Sequence, residues 1–361
     1  MSEDVSNIEN EILCVSRPSS GLDCNKLVLD KHAFSSSYPA NHVLIKVDRF
    51  GFSTNNMTYQ ALGEHPHFRY FDFHLIPGGG NISTETHGLI PVWGFGTIVV
   101  STHPKIQVGE RIYGYLSLAK YLLLSVSPTD VNRYSFYILR PHLPADRRPY
   151  NQIIRCATDP QYSRDPMLED LTMLYRPLFW TAYWCEDWIF ASKYRGASFI
   201  LISSASSKTA FSLAYLMQKR IKRGEVNANT KVIGLTSKKN IDFTTGLDLY
   251  HEVLTYDTFA GSPLFYGKAT ERWIYVDVAS NQNLNQNLFS HFSSPYTGRL
   301  AACIGLGLTN VSPSSGQTEP IEWSGTSALY STFLCQSGLK YDDGSNRQRK
   351  WSSIRTRRGK S

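Results

Sequence analysis

The chain has 361 residues, of which 42% are hydrophobic and 19% charged, a composition that excludes wholesale disorder and is typical of about two globular domains. The net charge is +7, but residues 340–361 alone carry eight basic and two acidic side chains. We therefore predict a nearly neutral body with a basic tail, which argues against nucleic acid as the partner. No run approaches the roughly 18 apolar residues of a membrane-spanning helix, which argues against a membrane.

The N-terminus and the cysteines predict a cytoplasmic protein. The first ten residues lack the basic and apolar regions of a secretory signal. The six cysteines form no C-x-x-C pair, so neither a disulfide framework nor a zinc lobe is indicated. A reduced compartment is the interpretation that follows.

The first half of the chain is predicted to be β-rich. Short strands alternate with turns and are expected at 43–47, 98–100 and 111–115, with Gly109 turning the chain between the last two. Further glycines lie at 78–80, 94 and 96. We interpret them as tight turns of an irregular β-domain.

From about residue 170 the pattern changes to alternating strands and helices. Buried strands are expected at 198–204, 231–235, 252–255, 273–278 and 300–305, and helices at 209–220 and 281–292. This alternation predicts right-handed βαβ units and a parallel sheet. The predicted domains are 1–170, 171–309 and a C-terminal return segment, 310–361, whose polar, basic character suggests a truncated or altered end.

The turn after the first parallel strand is a candidate phosphate site, because ligands of such sheets bind beyond the carboxyl ends of the strands. It reads Ser203, Ser204, Ala205, Ser206, Ser207, Lys208, Thr209. Dinucleotide sites normally have glycines here, but hydroxyls and a lysine can also donate to phosphate oxygens. A serine-rich turn that only caps a helix is the alternative, and a nucleotide-hydrolysing P-loop is disfavoured because both of its glycines are missing.

The tip of the second parallel strand indicates which dinucleotide would bind. An NAD site usually has an acidic residue there, whereas this chain has Thr236, Ser237, Lys238 and Lys239. Two lysines and two hydroxyls suit the 2′-phosphate of NADP(H). An exposed basic helix start is the alternative.

Five segments together resemble the medium-chain dehydrogenase/reductase superfamily, in particular its zinc-free quinone and enoyl reductases and the family DUF2855. These segments are 91–99 followed by 108–114, then 181–183, 203–209, 246–257 and 275–277. The resemblance implies an α/β chain with a GroES-like β-rich catalytic domain and a Rossmann-type, doubly wound cofactor domain. It also adds Thr181 and Tyr256 to the cofactor site.

The resemblance implies an NADPH-dependent reductase of a carbonyl or activated double bond in a small molecule, without zinc. Residues 51–60 lack the catalytic cysteine of zinc alcohol dehydrogenases, and 93–96 replace their zinc-binding segment. His65 and His67 have no third ligand nearby in sequence and are interpreted as a surface turn.

The resemblance also implies a tyrosine as proton donor, for which Tyr59 is the nearest match, with Asn55 and Asn56 as orienting partners. A packed aromatic is the alternative for Tyr59, and a catalytically silent protein that binds a ligand or partner is the alternative for the whole chain. The sequence leaves open whether the chain forms a homodimer.

Overall fold

The structure is a computed structural model that describes residues 8–34, 37–77, 82–266, 270–278, 280–294, 296–307 and 329–330. Within these ranges no helix is long and apolar enough to cross a membrane. The predicted glycine turn at 78–80 and the basic tail from 340 lie outside the described residues.

The first half of the chain forms a closed barrel and a small sheet. Its elements are β1 (Glu9–Ser16), β2 (Leu27–Ala33), β3 (His42–Gly51), α1 (Thr54–Ala61), β4 (His87–Leu89), β5 (Pro91–Ser101), β6 (Arg111–Ser117), β7 (Tyr121–Val131), β8 (Ser135–Ile138) and β9 (Gln152–Arg155). The barrel order is β3-β5-β6-β9-β8-β7, and the three-stranded sheet has the order β2-β1-β4. Alternating apolar residues such as Val43, Ile45, Phe95 and Ile112 fill the barrel core.

Two predicted glycine turns are wrong, and the structure gives the reason. Gly94 and Gly96 lie inside strand β5. A Cβ at Gly94 would stand 2.5 Å from the Arg49 carbonyl oxygen, and one at Gly96 would stand 2.7 Å from that of Lys46. These glycines therefore permit the close approach of β5 and β3. Gly109, at φ +89°, does turn the chain as expected.

A single helix, α2 (Pro166–Ala191), connects the two halves of the molecule. It begins where the sequence provides Asp165 as N-cap and Pro166 at the first helical position, and the Asp165 carboxylate accepts from the Met167 amide. The N-terminal half of α2 packs on the barrel, where Arg176 forms a buried ion pair with Asp159 at 2.6 Å. Its C-terminal half enters the core of the second domain.

The second half is a parallel sheet covered by helices on both faces. Its elements are β10 (Phe199–Ile202), α3 (Lys208–Lys222), β11 (Lys231–Thr236), α4 (Ile241–Gly246), β12 (Glu252–Thr255), β13 (Arg272–Asp277), α5 (Gln282–Phe292), β14 (Arg299–Gly305) and β15 (Leu329–Tyr330). The strand order is β12-β11-β10-β13-β14-β15. Helices α2 and α3 pack on one face and α5 on the other, so the predicted fold class, with its doubly wound sheet, is confirmed.

The strand order reverses between β10 and β13, which creates the crevice where ligands of doubly wound sheets bind. The serine-rich turn follows β10 and therefore stands at this crevice. Residue 170, the predicted domain boundary, lies within α2, so the two halves share one continuous helix. The part of the C-terminal segment that is described, β15, pairs in parallel with β14 and extends the same sheet.

Candidate functional site

The serine-rich turn has the backbone of a tight loop leading into a helix. Ser204 adopts the left-handed conformation at φ +50°, and the Ser207 amide donates to the Ser204 carbonyl at 2.7 Å. The Ser207 hydroxyl caps α3 by accepting from the Ala210 amide. The first amides of a helix, here those of Lys208 and Thr209, have no acceptor within it, and such amides can bind an anion.

Ser203 faces the interior. Its hydroxyl donates to Asp277 Oδ1 at 3.0 Å and accepts from the Val278 amide at 2.9 Å. The second oxygen of Asp277 accepts from Asn285 Nδ2 at 2.6 Å. This buried network ties the turn after β10 to the turn after β13 and leaves the Ser203 side chain directed away from the crevice. Asp277 belongs to a segment that carries the family resemblance, but it was not predicted as a site residue.

The other loop hydroxyls contact the tips of the neighbouring strands. Ser204 Oγ lies 3.3 Å from the Tyr256 hydroxyl after β12. Ser206 Oγ accepts from Asn240 Nδ2 at 3.0 Å and from Thr236 Oγ1 at 3.4 Å. The structure thus brings together predicted residues from three separate segments. Asn240 was not predicted as a site residue, because the only signal near it in the sequence is the start of a helix.

Ala205 and Thr181, both predicted cofactor-binding residues, form hydrogen bonds within the protein. Ala205 is fully buried, and its carbonyl oxygen accepts from the Tyr250 hydroxyl at 2.9 Å. Thr181 lies on α2 and donates to the carbonyl oxygen of Pro177, one turn earlier. Lys208, at the start of α3, has its ammonium group 6.0 Å from the ring centre of Tyr175 on α2. Tyr175 is a neighbour of the loop that sequence reasoning did not identify.

The tip of β11 offers two exposed cations and one orphaned hydroxyl. Lys238 and Lys239 are exposed, and neither is paired with a carboxylate in the part of the chain that the structure describes. Ser237 Oγ is buried without a hydrogen-bond partner there. Because a buried polar atom normally has a partner, this hydroxyl fits a site for a polar ligand group. Thr236 is fully buried at the strand end.

A second concave region lies where α2 crosses the barrel. It is shallow and open to solvent, and its cavity volume of about 20 Å³ admits one group of about the size of a water molecule. The residues that line it come from three parts of the chain: Gly51, Ser53, Asn55, Asn56, Tyr59, Trp93, Met173, Leu174, Pro177 and Leu178. We refer to this region as the Tyr59 cleft.

Tyr59 is held at this cleft by α1. Asn55, one turn earlier on the helix, donates from Nδ2 to the Tyr59 hydroxyl at 2.7 Å. The ring packs against Tyr70 and Tyr115. Burial raises the pKa of the Tyr59 phenol, although the hydrogen bond from Asn55 acts in the opposite direction. The phenol therefore keeps its proton at neutral pH, and Tyr59 borders the cleft.

Asn56 contacts the backbone on both sides. Its Oδ1 accepts from the Ser53 amide at 2.8 Å, and its Nδ2 donates to the Pro91 carbonyl oxygen at 2.8 Å. These bonds close the start of α1 and attach it to β5. The side chain also borders the cleft, so Asn56 both lines the cleft and fixes the helix that presents Asn55 and Tyr59.

His65 and His67, which were predicted to form a surface turn, contact neighbouring side chains. His67 Nε2 lies 2.8 Å from Arg147 Nη2, and the His65 ring packs on Phe68. Among the described residues, no group of three or more His, Cys, Asp or Glu side chains could hold a metal ion.

Comparisons with known proteins identify the family and the fold. A family model described as a protein of unknown function, DUF2855, matches residues 50–343. No curated protein matches the sequence. Among solved structures, a mutant of Etr1p in complex with NADP and crotonyl-CoA is 10% identical with a TM-score of 0.50, and the match covers 84% of this chain and 76% of that one.

Two further solved structures give lower scores. CurA from Vibrio vulnificus in complex with NADPH is 12% identical with a TM-score of 0.48, over 87% of this chain and 76% of that one. The yhdH oxidoreductase from Salmonella enterica in complex with NADP is 14% identical with a TM-score of 0.43, over 82% and 74%. At these identities the Etr1p comparison shows a common fold and nothing finer.

Proposed function

We propose that this chain, which belongs to the DUF2855 family, is a zinc-independent, NADP(H)-dependent reductase of a carbonyl or activated double bond in a small molecule. The observation that carries the proposal is the Tyr59 cleft, in which a buried phenol accepts a hydrogen bond from Asn55 and retains its own proton. The fold shared with Etr1p, whose structure holds NADP and crotonyl-CoA, supports a nicotinamide cofactor.

Helix α2 links the two parts of the proposed site. Leu174 and Leu178 line the Tyr59 cleft, while Tyr175 contacts Lys208 at the start of α3. A substrate in the cleft would thus lie on the same helix that borders the serine-rich turn. This arrangement supports reaction in the crevice between the barrel and the parallel sheet.

Tyr59 would act as the general acid. When NADPH is bound, it supplies the hydride that adds to the substrate carbon. Negative charge then develops on the substrate oxygen, and Tyr59 donates its proton to the reduced product. The Asn55 amide would stabilise the phenolate that remains, because a hydrogen bond to a charged acceptor is stronger than one to a neutral acceptor.

The serine-rich turn would hold the phosphates of the cofactor. Ser204 and Ser206 carry hydroxyls at the crevice, Lys208 can leave the Tyr175 ring to pair with an anion, and the first amides of α3 are free to donate. Lys238 and Lys239, together with the orphaned hydroxyl of Ser237, would hold a 2′-phosphate. The residues present therefore fit an NADP-type dinucleotide, although the loop has no glycine.

Titration of the purified protein with NADPH and NADH, followed by tryptophan fluorescence and melting temperature, tests the proposal. We expect saturable binding of NADPH and weaker binding of NADH. A protein that responds to neither cofactor at millimolar concentration would support the catalytically silent alternative. Stoichiometric zinc in protein purified without a chelator or metal-binding tag would contradict zinc independence.

A further inference from the structure

The Tyr59 cleft is uncharged and has two chemically different walls. Among the described residues that line it, none has a charged side chain. Ser53, Asn55 and Tyr59 form a polar wall, and Leu174 and Leu178 of α2 belong to an apolar one. A charged ligand group would find no counter-ion in this lining, and its desolvation would be unfavourable. The cleft therefore suits a neutral molecule with one oxygen and a hydrocarbon part.

The apolar wall continues out of the cleft along α2. Met167, Leu171, Leu174 and Leu178 follow the spacing i, i+4, i+7, i+11, which places them on one face of the helix. We call these four residues the α2 stripe. The two inner residues line the cleft, whereas Met167 and Leu171 are 63% and 43% exposed.

A third exposed apolar side chain belongs to the segment that lines the cleft. Phe52 is 56% exposed and lies between two lining residues, Gly51 and Ser53. Single exposed apolar residues need no explanation, but a row that continues a cleft marks a binding surface.

The acidic residues beside the stripe are held by the barrel. Asp170 pairs with Arg49 at 2.9 Å, and Glu169 pairs with Arg111 at 2.7 Å. These ion pairs leave the α2 stripe itself without charge. At 1.5 Å of rise per residue, the stripe is about 16 Å long from Leu178 to Met167. It can therefore accompany an extended hydrocarbon chain.

We infer that the α2 stripe binds the hydrocarbon tail of the substrate, and that the substrate is an uncharged aliphatic enone, enal or ketone with an unbranched chain. Its oxygen faces Asn55 and Tyr59, and its tail leaves the cleft over Leu171 and Met167. The inference deepens the proposed reductase function and rests on it for the reacting group.

The test combines binding without turnover and turnover over a chain-length series. Calorimetry compares butanone with undecan-2-one in the absence of NADPH, and kcat/KM is measured with methyl, pentyl and nonyl vinyl ketone. Full burial of a methylene tightens binding about fourfold. On a groove open at one side we expect about twofold per methylene, and hence about 100-fold between the two saturated ketones.

The double variant Met167→Asn, Leu171→Asn should lose most of this chain-length dependence. Binding of butanone and turnover of methyl vinyl ketone should change little. Both side chains are exposed, so the fold should persist. Leu29→Asn is the matched control, because Leu29 is 60% exposed on β2, away from the cleft. It should retain the full dependence.

Four outcomes separate the inference from the proposed function. Turnover with equal kcat/KM across the series, or a chain-length dependence that survives in the double variant, would overturn the inference and leave the reductase intact. Chain-dependent binding without NADPH oxidation would overturn the reductase and retain the α2 stripe as an aliphatic binding site. Loss of self-association in the double variant, without a change in ketone binding, would assign the stripe to a contact between copies and overturn the inference.

Discussion

The serine-rich turn and the Tyr59 cleft are built in opposite ways. The turn occupies one short stretch of sequence, and its neighbours Thr236 and Tyr256 come from the ends of adjacent parallel strands. The cleft assembles residues 51–59 with Trp93 and with 173–178, which are far apart in the chain. The turn is polar and lies where the topology requires it, whereas the cleft is a neutral surface between a barrel and a helix. Binding of the cofactor and chemistry on the substrate should therefore respond to different substitutions.

The substitution Tyr59→Phe is expected to give the largest difference between the effect on catalysis and the effect on cofactor binding. Loss of a general acid lowers kcat by about 10²- to 10⁴-fold, while the affinity for NADPH should stay unchanged because the phenol lies in the cleft. Tyr113→Phe is the matched control, since Tyr113 is a buried tyrosine whose hydroxyl has no partner among the described residues. Steady-state kinetics measure kcat, and fluorescence titration measures the affinity for NADPH. Equal kcat in the two variants would identify Tyr59 as a packing residue.

On the cofactor side, Lys238→Ala with Lys239→Ala should remove the preference for NADPH over NADH. Two partly exposed cations should favour the 2′-phosphate by about 1–3 kcal/mol, or roughly 5- to 150-fold in affinity. Dissociation constants at low and high salt test this, because screening should reduce the preference of the wild type. A parallel loss of NADH binding would mean that the lysines hold the fold, and a wild-type preference for NADH would contradict the assignment.

Lys208→Ala should weaken binding of both cofactors by about tenfold, or about 1.5 kcal/mol, if its ammonium makes a charge-assisted contact with the shared phosphates. Ketone binding in the cleft should be unaffected, which sharpens the contrast between the two regions. Lys222→Ala is the control, because this exposed lysine lies at the other end of α3. Identical NADPH affinities for the two variants would leave the serine-rich turn as a simple helix cap.

The smallest expected effect is on the stability of the fold and concerns the ion pair between Glu169 of α2 and Arg111 of the barrel. Burial acts to raise the pKa of Glu169, but the hydrogen bonds and charge of Arg111 dominate and lower it. A lowered carboxyl pKa stabilises the fold above the unfolded value of about 4.3, and this stabilisation is lost as the pH falls through the folded pKa. Glu169→Gln should therefore flatten the acid limb of a plot of unfolding free energy against pH. An unchanged acid limb would show that the ion pair contributes no net stability.

Five strands and two helices of the parallel domain could be predicted to within two residues because their signals are local, whereas α4 and β15 were not predicted. Strand 231–235 and helix 209–220 were each placed within two residues of their observed ends, since buried strands read as short apolar runs between helices of clear periodicity. The sequence also placed the serine-rich turn correctly at the end of β10. It did not reveal that Ser203 turns inward, because its partner Asp277 lies in another βα unit.

Helix α2 and the small sheet β2-β1-β4 could not be predicted in the same way. The apolar side chains of α2 face the barrel in its first half and the parallel sheet in its second, so no single stripe runs its full length. An interior proline further obscures the pattern. Tyr59 was found only through a resemblance, and its neighbours on α2 had no sequence signal. The cytoplasmic location stays a prediction, and whether the chain forms a homodimer stays open.

Pro177 makes α2 easier to bend at one position than along the rest of its length. A proline within a helix has no N–H to donate, so the carbonyl group of Met173 lacks its usual partner and bending is easiest there. Both residues line the Tyr59 cleft. Since α2 connects the barrel to the parallel sheet, rotation of one domain against the other should meet least resistance at the Tyr59 cleft. Widening of the cleft and withdrawal of the serine-rich turn would then be a single hinge movement.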